Sequence, residues 1–348
     1  LVFESLFYLV DLDRDFNLQI QNKSSIFSRL KLLLESDKKV ITSLVIVIIS
    51  VSFLFNISQL VDPILFYDNG YTIDPFLDNC SIEKLPPMRD TLRYYTLCLS
   101  DKVFDNVRVI PVFSTMSLAL CVFLYARVIT RSNSLSLISL LVFVSTNTFH
   151  FYGFTATYDQ TWVLLLFTSL LLLNTRFRYY SLIPYIFSMF FRGLPLLDFP
   201  IILTQISLLD IPGRQKRKIL ILYSLIVLLA SLYTLSGGYA IINGAGLNFD
   251  LKNSLSGMLF NFRFDMILFS SLPVVIFFLN RIHTKESGFI LFGITYLFFQ
   301  IFYLNSFTNL GQEPYRLMPL IAFLVIGFSL ILKDHSNIKN DLLHFLRS

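Results

Sequence analysis

Residues 107–173 read VRVIPVFSTMSLALCVFLYARVITRSNSLSLISLLVFVSTNTFHFYGFTATYDQTWVLLLFTSLLLL. Apolar runs fill this stretch and are broken twice, once by ARVITRSNS with Arg127 and Arg131, and once by FHFYGFTATYDQ. A bilayer core about 30 Å thick takes roughly 20 apolar residues in helical form. The stretch therefore predicts three successive spans, at 108–128, 134–150 and 160–175. Outward from it, the same criterion picks 40–60, 179–192, 195–210, 219–236, 266–280, 287–304 and 315–332. The expectation is an all-α polytopic membrane protein with about ten transmembrane helices. The pair at 179–210 is interrupted by Arg192, Pro195, Asp198 and Pro200. It reads either as two spans or as a broken helix pair enclosed by protein.

Composition points the same way. Hydrophobic residues make up 55% and charged residues 15% of the 348, with 37 phenylalanines, and mean hydropathy is +0.66. Soluble domains carry roughly 25% charged residues, so the expectation excludes one. The net charge of +5 sits mostly between apolar runs, which reads as an orientation signal and not as a nucleic-acid surface. Cys80, Cys98 and Cys121 are too scattered for a disulfide scaffold or zinc knuckle, although Cys80 and Cys98 pair if their loop faces an oxidising compartment. No G-x-G-x-x-G or G-x-x-x-x-G-K-[ST] motif is present, which leaves a Rossmann enzyme or an ATP-driven pump without support.

Residues 1–39 form a cytoplasmic or interfacial lead-in. LVFESLFYLV is followed by acidic DLDRD, the wrong order for a secretory signal. SIFSRLKLLLESDKK suits either a helix on a membrane surface or an ordinary lead-in helix. The transmembrane domain covers 40–332 and a cytoplasmic tail 333–348. With the N-terminus inside, 19 of the 28 basic residues fall on cytoplasmic segments, among them the GRQKRK turn at 213–218. Both termini are then cytoplasmic. The outer connections are long at 61–107 and 237–265, with Asp159 and Glu313 on two others.

That outer face carries the candidate chemistry. Asp62 closes the first span and precedes Pro63, which helps end the helix. Asp68 follows in the turn-forming YDNG. A carboxylate fixed at that depth serves as general base for a hydroxyl or holds a metal, the bland alternative being a helix-end residue on a polar loop. His150, Tyr158 and Asp159 stand at the mouths of two adjacent spans, and Asp159 is equally a helix cap. Arg192 in SMFFRGLPLLDFP and Arg316 in EPYRLMPLIAF either pair with carboxylates such as Asp198 and Glu313 or hold a phosphate.

In this layout the chain resembles the GT-C superfamily of membrane glycosyltransferases, in particular relatives of the protein mannosyltransferases. The resemblance rests on Asp62 (with Asp68 as fallback) after the first span, the basic entry at Arg108, the Tyr158–Asp159 connection, and Arg316 before Pro319. It implies a GT-C-like fold with a long outer first loop. It further implies transfer of a sugar from a polyprenyl or dolichyl phosphate to a hydroxyl of a glycan, lipid or protein on the non-cytoplasmic side. Asp62, Asp68 and Asp159 would be catalytic, and Arg192, Arg316, His150, Tyr158 and Arg108 would hold substrate or phosphate. A divalent cation, Mg or Mn, would sit on Asp62 and Asp68. Partner subunits are expected and nucleic acid is not, in the plasma membrane or endoplasmic reticulum. The chain departs from the family in lacking an Asp-Glu pair, since Pro63 follows Asp62, and in having no large C-terminal domain. Two other readings stand beside the transferase: a non-catalytic GT-C-like subunit of a membrane complex, and a transporter or flippase of a lipid-linked solute.

Overall fold

A computed structural model describes residues 35, 37–60, 91–155, 159–191, 194–236, 249–280, 284–306 and 314–345. Among these residues the chain forms fourteen α-helices and four short 3-10 turns. In chain order they are α1 Lys38–Asn56, α2 Thr91–Phe104, α3 Val109–Thr130, α4 Asn133–Val144, α5 Asn147–Tyr152, α6 Asp159–Leu173 and α7 Leu182–Phe191. Then come α8 Leu194–Leu197, α9 Phe199–Leu208, α10 Gly213–Ser236, α11 Leu251–Phe264, α12 Ser271–Asn280, α13 Lys285–Asn305 and α14 Met318–Phe345.

Local chemistry sets most of the helix starts. Asp37 accepts hydrogen bonds from Lys39 N at 2.9 Å and Val40 N at 3.3 Å, capping α1. Thr146 caps α5 and Asp250 caps α11 in the same way. The start of α4 is capped twice. Ser132 Oγ accepts from Leu135 N, and the half-buried Glu35 accepts from Ser132 Oγ, Asn133 N, Ser134 N and Ser134 Oγ at 2.6, 2.9, 3.1 and 2.7 Å. Burial works to raise the Glu35 pKa, but these hydrogen bonds outweigh it and hold the carboxyl below its ordinary value.

Helices α3, α4, α6 and α14 pack together as the centre of the bundle. Phe123, Tyr125, Phe143, Phe167, Leu170, Phe323 and Val325 are completely buried there. Small residues let the backbones close in: Ser139 Oγ lies 2.6 Å from Ser329 Oγ, and Ser329 Oγ donates to the Leu135 carbonyl at 2.9 Å. A Cβ added at Gly293 on α13 would meet the Phe323 ring at 2.5 Å.

The expectation of about ten spans is overturned. Three described helices are long and apolar enough to cross a membrane: α1, α3 and α13. A fourth is counted only if α11 and residues Met266–Asn280, bent by 107° at their junction, form one span. The physical reason is length. The run at 134–150 breaks after Val144 and restarts as the six-residue α5, and the run at 179–192 yields the ten residues of α7. The run at 195–210 splits at Asp198 into α8 and α9. At 1.5 Å per residue, a ten-residue helix rises about 15 Å, half of a bilayer core. An apolar run of that size is more often a buried core helix, and the central helices here are buried on several sides. The GT-C-like fold, and the integral membrane placement with two cytoplasmic termini that was built on ten alternating spans, fall with that count.

The exterior is nonetheless apolar in stripes. On α10, Ile221, Leu222, Leu225, Leu228, Leu229 and Leu232 are exposed. On α1, Ile46, Val47, Val51, Leu54 and Phe55 face outward. In the expected 61–107 outer loop, α2 is described: Leu97 is buried, and Cys98 is disulfide-bonded. Cys121 keeps a free, buried thiol.

Candidate functional site

The 107° elbow between α11 and the segment after it is stitched by one side chain. Asp265 is 3% exposed; its Oδ1 accepts from Ile267 N at 3.4 Å and its Oδ2 from Thr148 N at 2.9 Å. It thus starts the next turn of its own segment and anchors the first turn of α5 with the same carboxylate. Asn147 Nδ2 adds a bond to the Phe264 carbonyl at 2.8 Å. Rings close the joint, with Phe151 edge-on to Phe264 at 5.8 Å and Tyr152 tilted against it at 5.5 Å.

Between α5 and α11 these contacts leave a cleft of about 410 Å³, lined by Asn147, His150, Phe151, Phe260, Arg263 and Phe264. Its walls are three aromatic rings and its polar groups are an amide, an imidazole and a guanidinium, the usual make-up of a small-molecule site. Asn56 on α1 fixes the imidazole. Its Nδ2 donates to the Ser52 carbonyl at 2.8 Å, which orients the amide, and lies 2.8 Å from His150 Nδ1. With an N–H directed at Nδ1, that nitrogen accepts, so the ring proton belongs on Nε2. Partial burial lowers the His150 pKa, favouring neutral imidazole at neutral pH. Arg263 is exposed and supplies the fixed positive charge.

Two of the residues expected from sequence meet at this end of the bundle. His150 lines the cleft, and Arg316 is half-buried on the turn Pro314–Leu317, which packs against both α5 and α11. Arg108 is not part of the cleft; it is 3% exposed at the N-cap of α3, its N–H taken by Asn106 Oδ1 at 2.9 Å. Asp159 is the first residue of α6. Asp62, Asp68, Tyr158 and Arg192 lie outside the described residues. The described residues hold no group of three or more His, Cys, Asp or Glu side chains able to bind a metal, and the expected cation holders Asp62 and Asp68 are not among them. Sequence reasoning missed Asn147, Phe260, Arg263 and Phe264. The signal was present in FNFRFD, where Phe260, Arg263 and Phe264 sit at i, i+3 and i+4 on one helix face.

A second cavity, about 270 Å³, opens at the opposite, basic ends of the helices and includes Arg131, Arg178, Asp210, Lys285 and Glu286. Here the charges already answer one another: Lys285 pairs with Asp210 at 2.5 Å and Arg131 with Glu286 at 3.4 Å. The cleft at the elbow is the better candidate because no carboxylate among the described residues lines it opposite the guanidinium.

No family model, no characterised protein and no solved structure matches the chain. The resemblance to GT-C glycosyltransferases is corrected, since it rested on a layout of ten spans and the described residues hold three, at most four, helices of that length and composition. The sugar-transferase activity, its non-cytoplasmic catalytic face, the GT-C-like subunit and the transporter or flippase reading go with it. Each required a polytopic frame to hold the site at one membrane surface.

Proposed function

We propose that the elbow cleft is a binding site for the anionic head of an amphiphile, a class that includes polyprenyl phosphates. The observation that carries the reading is the meeting of Arg263, His150 and Asn147 inside a cleft walled by Phe151, Phe260 and Phe264. A guanidinium suits phosphate oxygens through its rigid fork of donors. Neutral imidazole and the carboxamide add hydrogen bonds without adding charge. The apolar part of such a ligand has a surface to follow. Leu255 and Leu259 on α11, the helix that supplies Phe260, Arg263 and Phe264, and Met266 and Phe269 just past the elbow are all more than half exposed. No chemical step is assigned to the site.

The test is direct binding of dodecyl phosphate to the purified full chain, with dodecyl maltoside and inorganic phosphate as comparisons. Dodecyl phosphate should bind tightest, because it alone offers both charge and tail. Arg263→Gln should weaken it about tenfold, the scale of one charge-assisted hydrogen bond. Equal binding of dodecyl maltoside, or an unchanged affinity in Arg263→Gln, overturns the reading.

A further inference from the structure

The break between α8 and α9 places Asp198 at the N-cap of α9, yet its side chain caps nothing. The residue is fully buried, and neither carboxylate oxygen has a hydrogen-bond partner. Isolated carboxylates are not left charged in such places, because the cost of desolvation far exceeds that of taking up a proton. Facing the break, α13 presents Tyr296 and Gln300, four residues apart and so on one helix face. Tyr296 Oη donates to the Leu197 carbonyl. Gln300 lies beside Asp198 with its amide N–H side favouring the ionised carboxyl, and its own Oε1 is buried without a partner, so turning the carboxamide over brings that oxygen to the acid. Two side chains with unanswered acceptor oxygens are adjacent, and a single donor between them would satisfy both.

We propose that Asp198 is a proton-binding site, in which the neutral acid donates its hydrogen to Gln300 Oε1 and pins the α8–α9 break to α13. The proton is taken from solvent and returned to it; no other bond changes. Together with the Tyr296–Leu197 bond it makes a two-point clamp, of which only the Asp198 half is sensitive to pH. The titratable groups around it among the described residues are phenols: Tyr185 from α7, Tyr296 from α13, and Tyr223 from α10, whose ring lies tilted against Tyr185 at 5.2 Å and whose hydroxyl bonds Ser169 and Ser181. Helices α6 and α9 bring no titratable side chain to it, and no described cation offsets its charge. Burial pushes the Asp198 carboxyl up to about 7, with Gln300 acting in the opposite sense. The native site thus holds the proton more tightly than the unfolded chain, whose Asp titrates near 3.9. The stabilising contribution is fully present below that lower value and is lost as pH rises through about 7.

Infrared spectroscopy of the full chain tests this through the carbonyl stretch of a protonated carboxyl. A component of that band should disappear with a midpoint near neutrality, well apart from the surface carboxyls. It should be absent in Asp198→Asn. In Gln300→Leu it should persist but move to higher frequency, since the acid has lost its acceptor. Thermal unfolding of Asp198→Asn should lose the stability decline that the parent shows between about pH 4 and pH 7. A parent chain with no neutral-range band, or a band unmoved in Gln300→Leu, refutes the site even if Asp198→Asn fails to fold. A neutral-range band that survives in folded Asp198→Asn refutes it as well.

Discussion

Glu35 stands 97 residues before Ser132 in the chain, yet it closes the start of α4 with four hydrogen bonds. Two come from backbone N–H groups that the helix itself cannot satisfy. Because the folded carboxyl titrates below its ordinary value, the linkage has a definite sign. Its contribution is present above the unfolded Glu value of about 4.3 and is lost as pH falls through the lower folded value. Glu35→Gln should therefore cost about 1 kcal/mol at neutral pH, the usual scale of a helix cap. The difference between the two proteins should vanish in acid, where both side chains are neutral. Denaturant unfolding at a series of pH values measures it, and a pH-independent difference would mean that packing, and not charge, is what the substitution removes.

Helix contacts depend on residues that look unremarkable in the sequence. Gly293 admits the Phe323 ring against the α13 backbone, and Phe323 is completely buried, so the ring has nowhere to retreat. Gly293→Ala should destabilise the chain by about 1–3 kcal/mol through overpacking. Adding Phe323→Leu should recover part of that loss, a coupling that a double-mutant cycle would register; strict additivity would place the strain elsewhere. This level is also where the sequence was legible and where it stopped being so. The runs at 40–60, 108–128 and 287–304 emerge as α1, α3 and α13 because each is uninterrupted and long enough. The runs at 179–192 and 195–210 look similar in hydropathy, but Asp198 and the prolines divide them into short helices. Hydropathy averages over a window and does not report whether an apolar face meets lipid or another helix. The site was legible only in part for the same reason. His150 and Arg316 stand out as isolated polar residues near apolar runs, whereas Arg263 becomes meaningful only once the elbow at Asp265 folds α11 against α5.

At the scale of the whole molecule, the arrangement of apolar surface poses a physical problem that the fold alone does not resolve. The centre is well filled, but stripes on α1, on α10 and along the elbow point outward. Phe55 is 79% exposed, Met266 73% and Leu259 70%. On α10 the outward residues recur at three- and four-residue steps from Ile221 to Leu232, so they form one continuous face. Proteins that are monomeric in water rarely leave such faces uncovered, since each large side chain brought out of water contributes roughly 1.5–3 kcal/mol. Among the described residues three helices, at most four, have the length and composition to place such faces across a lipid core, and the others need lipid, detergent or a second protein against them. The purified chain should stay monodisperse in a nonionic detergent and self-associate when the detergent is withdrawn. Replacing Leu225, Leu228, Leu229 and Leu232 with Gln should reduce that association while leaving the buried bundle folded, because none of the four belongs to the interior. Sedimentation in matched buffers reads the outcome. A parent chain that remains monomeric without any amphiphile would show that these faces are covered from within the chain.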